Sequence, residues 1–234
     1  MKLGLLGSDA RVLRIVDAAR RRGDVVTVRC DPTGDGGDLG WEALLDSASC
    51  DAVLVAADGW STARGEAVRM LVQAGRTLLV AHPLELSMLW AYELDMIRRD
   101  SAARVIPDLP LRLHPFVGRL ATAIESGMAA AGGLGPVESL TLERSLANRG
   151  RDQVLRQLAC DADLIRVLVG DPARLGTIGD AQSSTVWNSL AVGFSGPSQL
   201  PARWQVAPGS DARLRITLQH AAGGIEVVLP DDPE

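Results

Sequence analysis

Ala74-Gly75-Arg76-Thr77-Leu78-Leu79-Val80-Ala81-His82-Pro83 is the stretch on which the fold turns. A glycine that stops a helix, followed by an apolar run without polar alternation, predicts a strand buried on both faces of a parallel sheet. The same pattern lies just upstream. Asp51-Ala-Val-Leu-Val-Ala-Ala57 gives a strand over 52–57, and Ser61 is placed to N-cap a helix that runs to Ala74.

Working outward, Lys2–Leu6 and Val25–Cys30 read as strands that flank a helix with Val12, Leu13, Val16 and Ala19 on its apolar face. Trp41–Asp46 fits a short helix, Ser87 begins another, and Ala103–Ile106 is a further strand. Strands alternating with helices, joined by right-handed crossovers, predict an open parallel sheet covered on both faces. Near Pro107 the pattern changes. Phe116, Val117, Leu120 and Ile124 predict a helix ending near Gly127, Val137–Leu146 a long strand, and Arg151–Val169 a helix before Gly170. Strand-like runs over Ser184–Phe194, Arg203–Ala207, Leu214–His220 and Ile225–Leu229 complete the chain. The expected class is α/β: a Rossmann-type parallel sheet over 1–108, then an α+β domain over 109–234 on a mainly antiparallel sheet.

Composition narrows the function. A hydrophobic content of 47% is ample for packed cores, and a formal charge of −5 argues against nucleic acid, whose phosphates need concentrated basic charge. The run Arg20-Arg21-Arg22 closes a helix, where cations complement the dipole. No apolar run approaches the ~20 residues of a membrane helix, and Met1–Gly7 is too short for a signal peptide. Cys30, Cys50 and Cys160 have no C-x-x-C spacing and read as free thiols of a cytoplasmic protein.

After the first strand a dinucleotide fold needs glycines, so that the backbone turns tightly and approaches the pyrophosphate. The window Gly7-Ser8-Asp9-Ala10-Arg11-Val12 keeps only the first of three. Asp9 stands at the second, where its carboxylate caps the helix and competes with a bound anion. Val12 stands at the third, where its bulk pushes helix and strand apart. Asp31 keeps the acidic residue that accepts hydrogen bonds from an adenosine ribose and favours NAD over NADP; alternatively, Asp31-Pro32 simply begins a turn.

The stretch ending in Ala81-His82-Pro83 resembles the segment ending in Glu-Lys-Pro of the glucose-fructose oxidoreductase / inositol dehydrogenase family (Gfo/Idh/MocA). Asp51–Ala57 is similar to that family's third-to-fourth strand segment, with Ala57-Asp58 where Thr-Pro is usual. Arg112-Leu-His-Pro115 resembles its Arg-x-His-Pro, Leu134-Gly-Pro-Val137 its next strand entry, and Gly170-Asp-Pro172 its Gly-x-Pro. The resemblance implies a cofactor path along Gly7, Ser8, Asp9, Asp31, Ala57, His82 and Pro83. It also implies a sugar-like ligand in an interdomain cleft and a homo-oligomer formed through the terminal sheet.

Family enzymes move a hydride to or from nicotinamide while an acid/base group handles the hydroxyl proton. The resemblance assigns that work to the lysine of Glu-Lys-Pro and to an Asp-x-x-x-His pair on one helix face. Here Lys2 is the only lysine. His82 replaces the family lysine, Arg156 the aspartate and Cys160 the histidine, while Asp163 persists three residues on. The expectation is a catalytically degenerate member with at most weak nucleotide or sugar-like binding. Two alternatives stay open: an active NAD-dependent dehydrogenase using His82 for proton transfer, and a non-enzymatic partner subunit. His82 and Cys160 are also the residue types of a nucleophile pair or, with Asp163, of a metal site, but no ligand spacing supports a metal. Trp187 and Trp204 are read either as core or as an apolar dimer face on the terminal sheet.

Overall fold

Five short apolar strands build the first sheet of a computed structural model that describes residues 1–31, 40–125, 136–179, 187, 190–195, 200–210 and 213–230. The chain divides into two units, Met1–Asp108 and Leu109–Glu234.

In the first unit, β1 (Lys2–Leu6), β2 (Val25–Cys30), β3 (Ala52–Val55), β4 (Thr77–Ala81) and β5 (Arg104–Asp108) lie in the order β2-β1-β3-β4-β5, all parallel. Crossovers run through α1 (Ala10–Arg21), a 3₁₀ turn (Trp41–Leu45), α2 (Thr62–Gln73) and α3 (Met88–Arg99). Side chains alternate along each strand, so the sheet feeds two cores. Leu3, Leu5, Leu54 and Ala56 pack with α1, while Leu6, Val53, Val55, Leu78 and Val80 pack with residues of α2 and α3. Ser61 and Ser87 accept N-terminal amides of α2 and α3, and Gly75 follows the α2 cap at a φ of 74°. Pro107 is tolerated in β5 because β5 is an edge strand. Leu13 departs from its expected place: it is exposed, and the buried stripe of α1 is Val12, Val16 and Ala19, at i, i+4 and i+7.

The second unit opens with a 3₁₀ turn (Pro110–Leu113) and α4 (Pro115–Glu125), in which Val117 and Leu120 are buried but Phe116 is exposed. Then follow β6 (Val137–Leu146), α5 (Arg151–Val169), β7 (Arg174–Gly179), β8 (Leu190–Ser195), β9 (Ala202–Pro208), β10 (Arg213–His220) and β11 (Gly223–Pro230). The sheet order is β11-β10-β6-β9-β8-β7, antiparallel except for β6 beside β9. The expected helix end at Gly127, the Leu134-Gly entry and most of 184–189 lie outside the described residues. Strand β7 carries no sequence signal because every residue in it is exposed, which removes the alternation that betrays a half-buried strand. Among the described residues no helix is long and apolar enough to cross a membrane.

The terminal sheet decides between the two readings of Trp204 in favour of the core. Trp204 is wholly buried, and its Nε1 donates to Asp161 Oδ2 at 2.8 Å. Trp187 lies against the same core, and its backbone N–H donates to Arg149 O. The opposite face of the sheet is polar. Glu143 accepts there from Gln205 at 2.7 Å and from Arg215 at 2.9 Å.

Beneath the sheet Arg144 and Asp161 are both fully buried, and Arg144 Nε donates to Asp161 Oδ2 at 3.0 Å. Removing one member of such a pair strands the other charge out of water. Asp161→Ala is therefore expected to lose about 3–5 kcal/mol in urea unfolding. Arg144→Met combined with Asp161→Leu should lose much less than the sum of the single changes. Additive losses would show that the two groups are not coupled.

Candidate functional site

In an open parallel sheet, ligands bind beyond the carboxyl ends of the strands, where the strand order reverses. Here that point lies between β1 and β3, bounded by Gly7-Ser8-Asp9 and Ala56-Ala57-Asp58. Gly7 has a φ of 78°, so glycine permits the turn. Ser8 is exposed. Asp9 caps α1, its Oδ1 accepting from Val12 N at 2.7 Å. Its Oδ2 reaches across to β3 and accepts from Ala57 N at 2.9 Å and Asp58 N at 3.5 Å. Three backbone amides converging on one carboxylate form the kind of anion cradle a pyrophosphate uses, and the anion in it belongs to the chain.

A second group fills the crevice. Arg64, in the first turn of α2, is 1% exposed. Its Nη2 donates to Asp31 Oδ1 at 3.0 Å, and its Nη1 donates to Ala56 O at 3.3 Å and to Asp58 O. A Cβ built on Gly7 would lie 2.6 Å from the Arg64 Cζ and 2.8 Å from Nη2. The space beside the turn glycine is thus occupied by a guanidinium. Asp31, the expected ribose acceptor, is the salt-bridge partner of that guanidinium. The residues present do not fit a dinucleotide pyrophosphate. Val12, at the third glycine position, is absorbed into the core with Leu3, Leu5 and Leu54.

Arg64 was legible as an anomaly in the sequence. It lies three, four and seven residues before Ala67, Val68 and Leu71, on the buried face of α2. An arginine at core spacing needs acceptors around it. Arg11 is a second unanticipated cation: Nε donates to Asp108 Oδ2 at 2.5 Å and Nη1 to the His82 carbonyl at 3.1 Å. It ties the first turn of α1 to the ends of β4 and β5. The His82 side chain, with buried Pro83, lines a hollow of about 260 Å³ together with Leu84, Trp90, Leu94 and Asp95.

In the second unit, Arg156, Cys160 and Asp163 share a face of α5 at i, i+4 and i+7. Asp163 has a structural tie: its Oδ1 accepts from Arg112 Nη1 at 3.0 Å. Two of the motif segments noted in the sequence thus meet through one ion pair. His114 Nδ1 accepts from Phe116 N at 3.3 Å and stacks on the Phe116 ring, bracing the turn into α4. His220 is buried on the core face of β10. Cys30 and Cys50 are buried and Cys160 is half-buried, all three as free thiols. Burial pushes the Cys30 thiol up to about 11. Among the described residues no three histidine, cysteine or acidic side chains are grouped to hold a metal.

Solved structures share this fold. The chain aligns over all its length with 82% of the WlbA dehydrogenase from Bordetella pertussis, a complex with NADH and UDP-GlcNAcA, at 13% identity and a TM-score of 0.74. It covers 97% of itself and 76% of the UDP-N-acetylglucosamine 3-dehydrogenase GnnA from Acidithiobacillus ferrooxidans, at 17% identity and a TM-score of 0.72. For biliverdin reductase from Synechocystis sp. PCC 6803, a complex with biliverdin and NADP+, the figures are 97%, 79%, 15% and 0.67. The fold is therefore that of the two-domain dehydrogenases whose motifs the sequence resembles. No protein-family model matches the chain, and no curated protein matches it in sequence.

Two outcomes test this geometry. Asp31→Ala should lower stability by about 1–2 kcal/mol, because it leaves a buried guanidinium with carbonyl partners alone, while Asp31→Asn should recover part of the loss. Unchanged unfolding in both variants would remove the Arg64 pairing. Thiolate is the form that alkylates, so iodoacetamide at mildly alkaline pH should label Cys160 first and Cys30 only on unfolding, as read by peptide mass spectrometry.

Proposed function

We propose that this chain is a catalytically degenerate member of the dehydrogenase fold it shares, a scaffold that holds a nucleotide or sugar-like ligand weakly at most. One observation carries the reading: the chain's own Asp9 takes the amide donors that a pyrophosphate requires. A bound dinucleotide would have to displace a carboxylate held by three amides, and would meet its negative charge at close range. The replacement of the family's lysine, aspartate and histidine by His82, Arg156 and Cys160 supports the same reading. With no lysine at position 82, no carboxylate at 156 and no imidazole at 160, the hydroxyl proton of a polyol has lost the groups that would usually handle it. The fold shared with a protein bound to NADH and a UDP-sugar supports a residual affinity for nucleotide- or sugar-bearing ligands.

The test is NADH and NADPH titration, followed by energy transfer from the tryptophans and by calorimetry. Wild-type protein is expected to show no saturation below millimolar cofactor. Asp9→Gly should tighten binding by about tenfold, by removing a like charge from the anion position. Low-micromolar NADH binding by the wild type, with turnover lost in His82→Ala, would replace this reading with an active dehydrogenase.

A further inference from the structure

Between α2 and α3 we infer a binding site for a small hydroxylated ammonium ion, of the amino-sugar kind, in a cavity of about 470 Å³ within the first unit. Its volume is that of a small-molecule site. It shares no residue with the Asp9 cradle and does not rest on the reading above. Trp60, Glu66 and Arg69 line it from the α2 side, and Glu85, Trp90 and Glu93 from the α3 side. The two indoles meet edge to face, with centroids 5.1 Å apart and planes at 83°, so neither covers both faces of the other. Gly65 lets them pack close to α2: a Cβ built there would meet Trp90 Nε1 at 3.4 Å and Trp60 Cζ2 at 3.5 Å.

Three carboxylates against one guanidinium leave the lining two negative charges in excess. Each carboxylate is held by one oxygen and offers the other. Arg69 donates through Nη1 to Glu66 Oε1 and through Nη2 to Glu93 Oε2. Glu85 Oε1 accepts from Leu86 N at 2.7 Å and from Ser87 N at 3.3 Å. Glu66 Oε2, Glu85 Oε2 and Glu93 Oε1 have no protein partner among the described residues. Fixed carboxylates beside indole faces are what an organic ammonium ion pairs with, by charge and through the ring quadrupole. A second observation adds the hydroxyls. Arg69 Nε and Trp90 Nε1, buried donors of two lining side chains, have no acceptor. Interiors seldom leave such groups unmet. A bare cation carries nothing for them. A hydroxyl seated against the wall offers an acceptor to an N–H, once either side chain turns towards it, and a donor to a carboxylate.

Glucosamine is the probe, titrated at slightly acidic pH, where its amine is protonated, and followed by tryptophan fluorescence and calorimetry. Saturable binding is expected. It should be at least about tenfold tighter than that of N-acetylglucosamine, which keeps the ring without the charge, or of tetramethylammonium, which keeps the charge without the hydroxyls. Glu85→Gln and Glu93→Gln, with circular dichroism to confirm folding, should each weaken it by about tenfold. Added salt should weaken it as well. Glu226→Gln, on the terminal sheet, should leave it unchanged. No saturation by glucosamine overturns the inference. So does equal binding of N-acetylglucosamine or tetramethylammonium, or glucosamine binding that survives both cavity substitutions.

Discussion

A guanidinium cannot remain charged in a protein interior unless acceptors surround it, and that requirement organises the carboxyl end of the first sheet. Arg64 enters from α2 at 1% exposure and gathers Asp31 from the end of β2 with the carbonyls of Ala56 and Asp58 beyond β3. Gly7, after β1, leaves it the room. Two strand ends are thereby held by one side chain. Asp9 completes the arrangement from α1 by taking the amides of Val12, Ala57 and Asp58. Anion site and cation are both internal, and they neutralise locally what a cofactor would otherwise have been recruited to neutralise.

The second unit solves a related problem by other means. Arg144 from β6 and Asp161 from α5 meet with zero exposure, and the Trp204 indole donates to the same carboxylate. One face of α5 thus serves the core. The adjoining face carries Arg156, Cys160 and Asp163, and the last of these is engaged by Arg112. Asp163 thereby serves as an ion-pair anchor between α5 and the turn that opens the second unit.

Most elements were legible because their burial is regular. Strands β3 and β4 run almost wholly apolar, Ser61 and Ser87 announce their helices, and Gly75 and Gly170 end theirs. The misreadings share one cause, which is that burial depends on what packs opposite. Leu13 and Phe116 are apolar residues turned to solvent, and β7 is a strand with no buried face. None of these is a property of the local sequence.

By itself the sequence determined the alternation of strands and helices, the change of pattern near Pro107 and the presence of a single glycine in the first turn. Those are matters of local propensity and residue identity, which neighbours along the chain suffice to define. Only the tertiary structure decided that Asp31, with its side chain 43% exposed, pairs with Arg64, and that the Asp9 carboxylate joins the first turn of α1 to the segment after β3. The partners involved are separated by 33 and 48 residues, and only the closing of the sheet brings them within hydrogen-bonding distance.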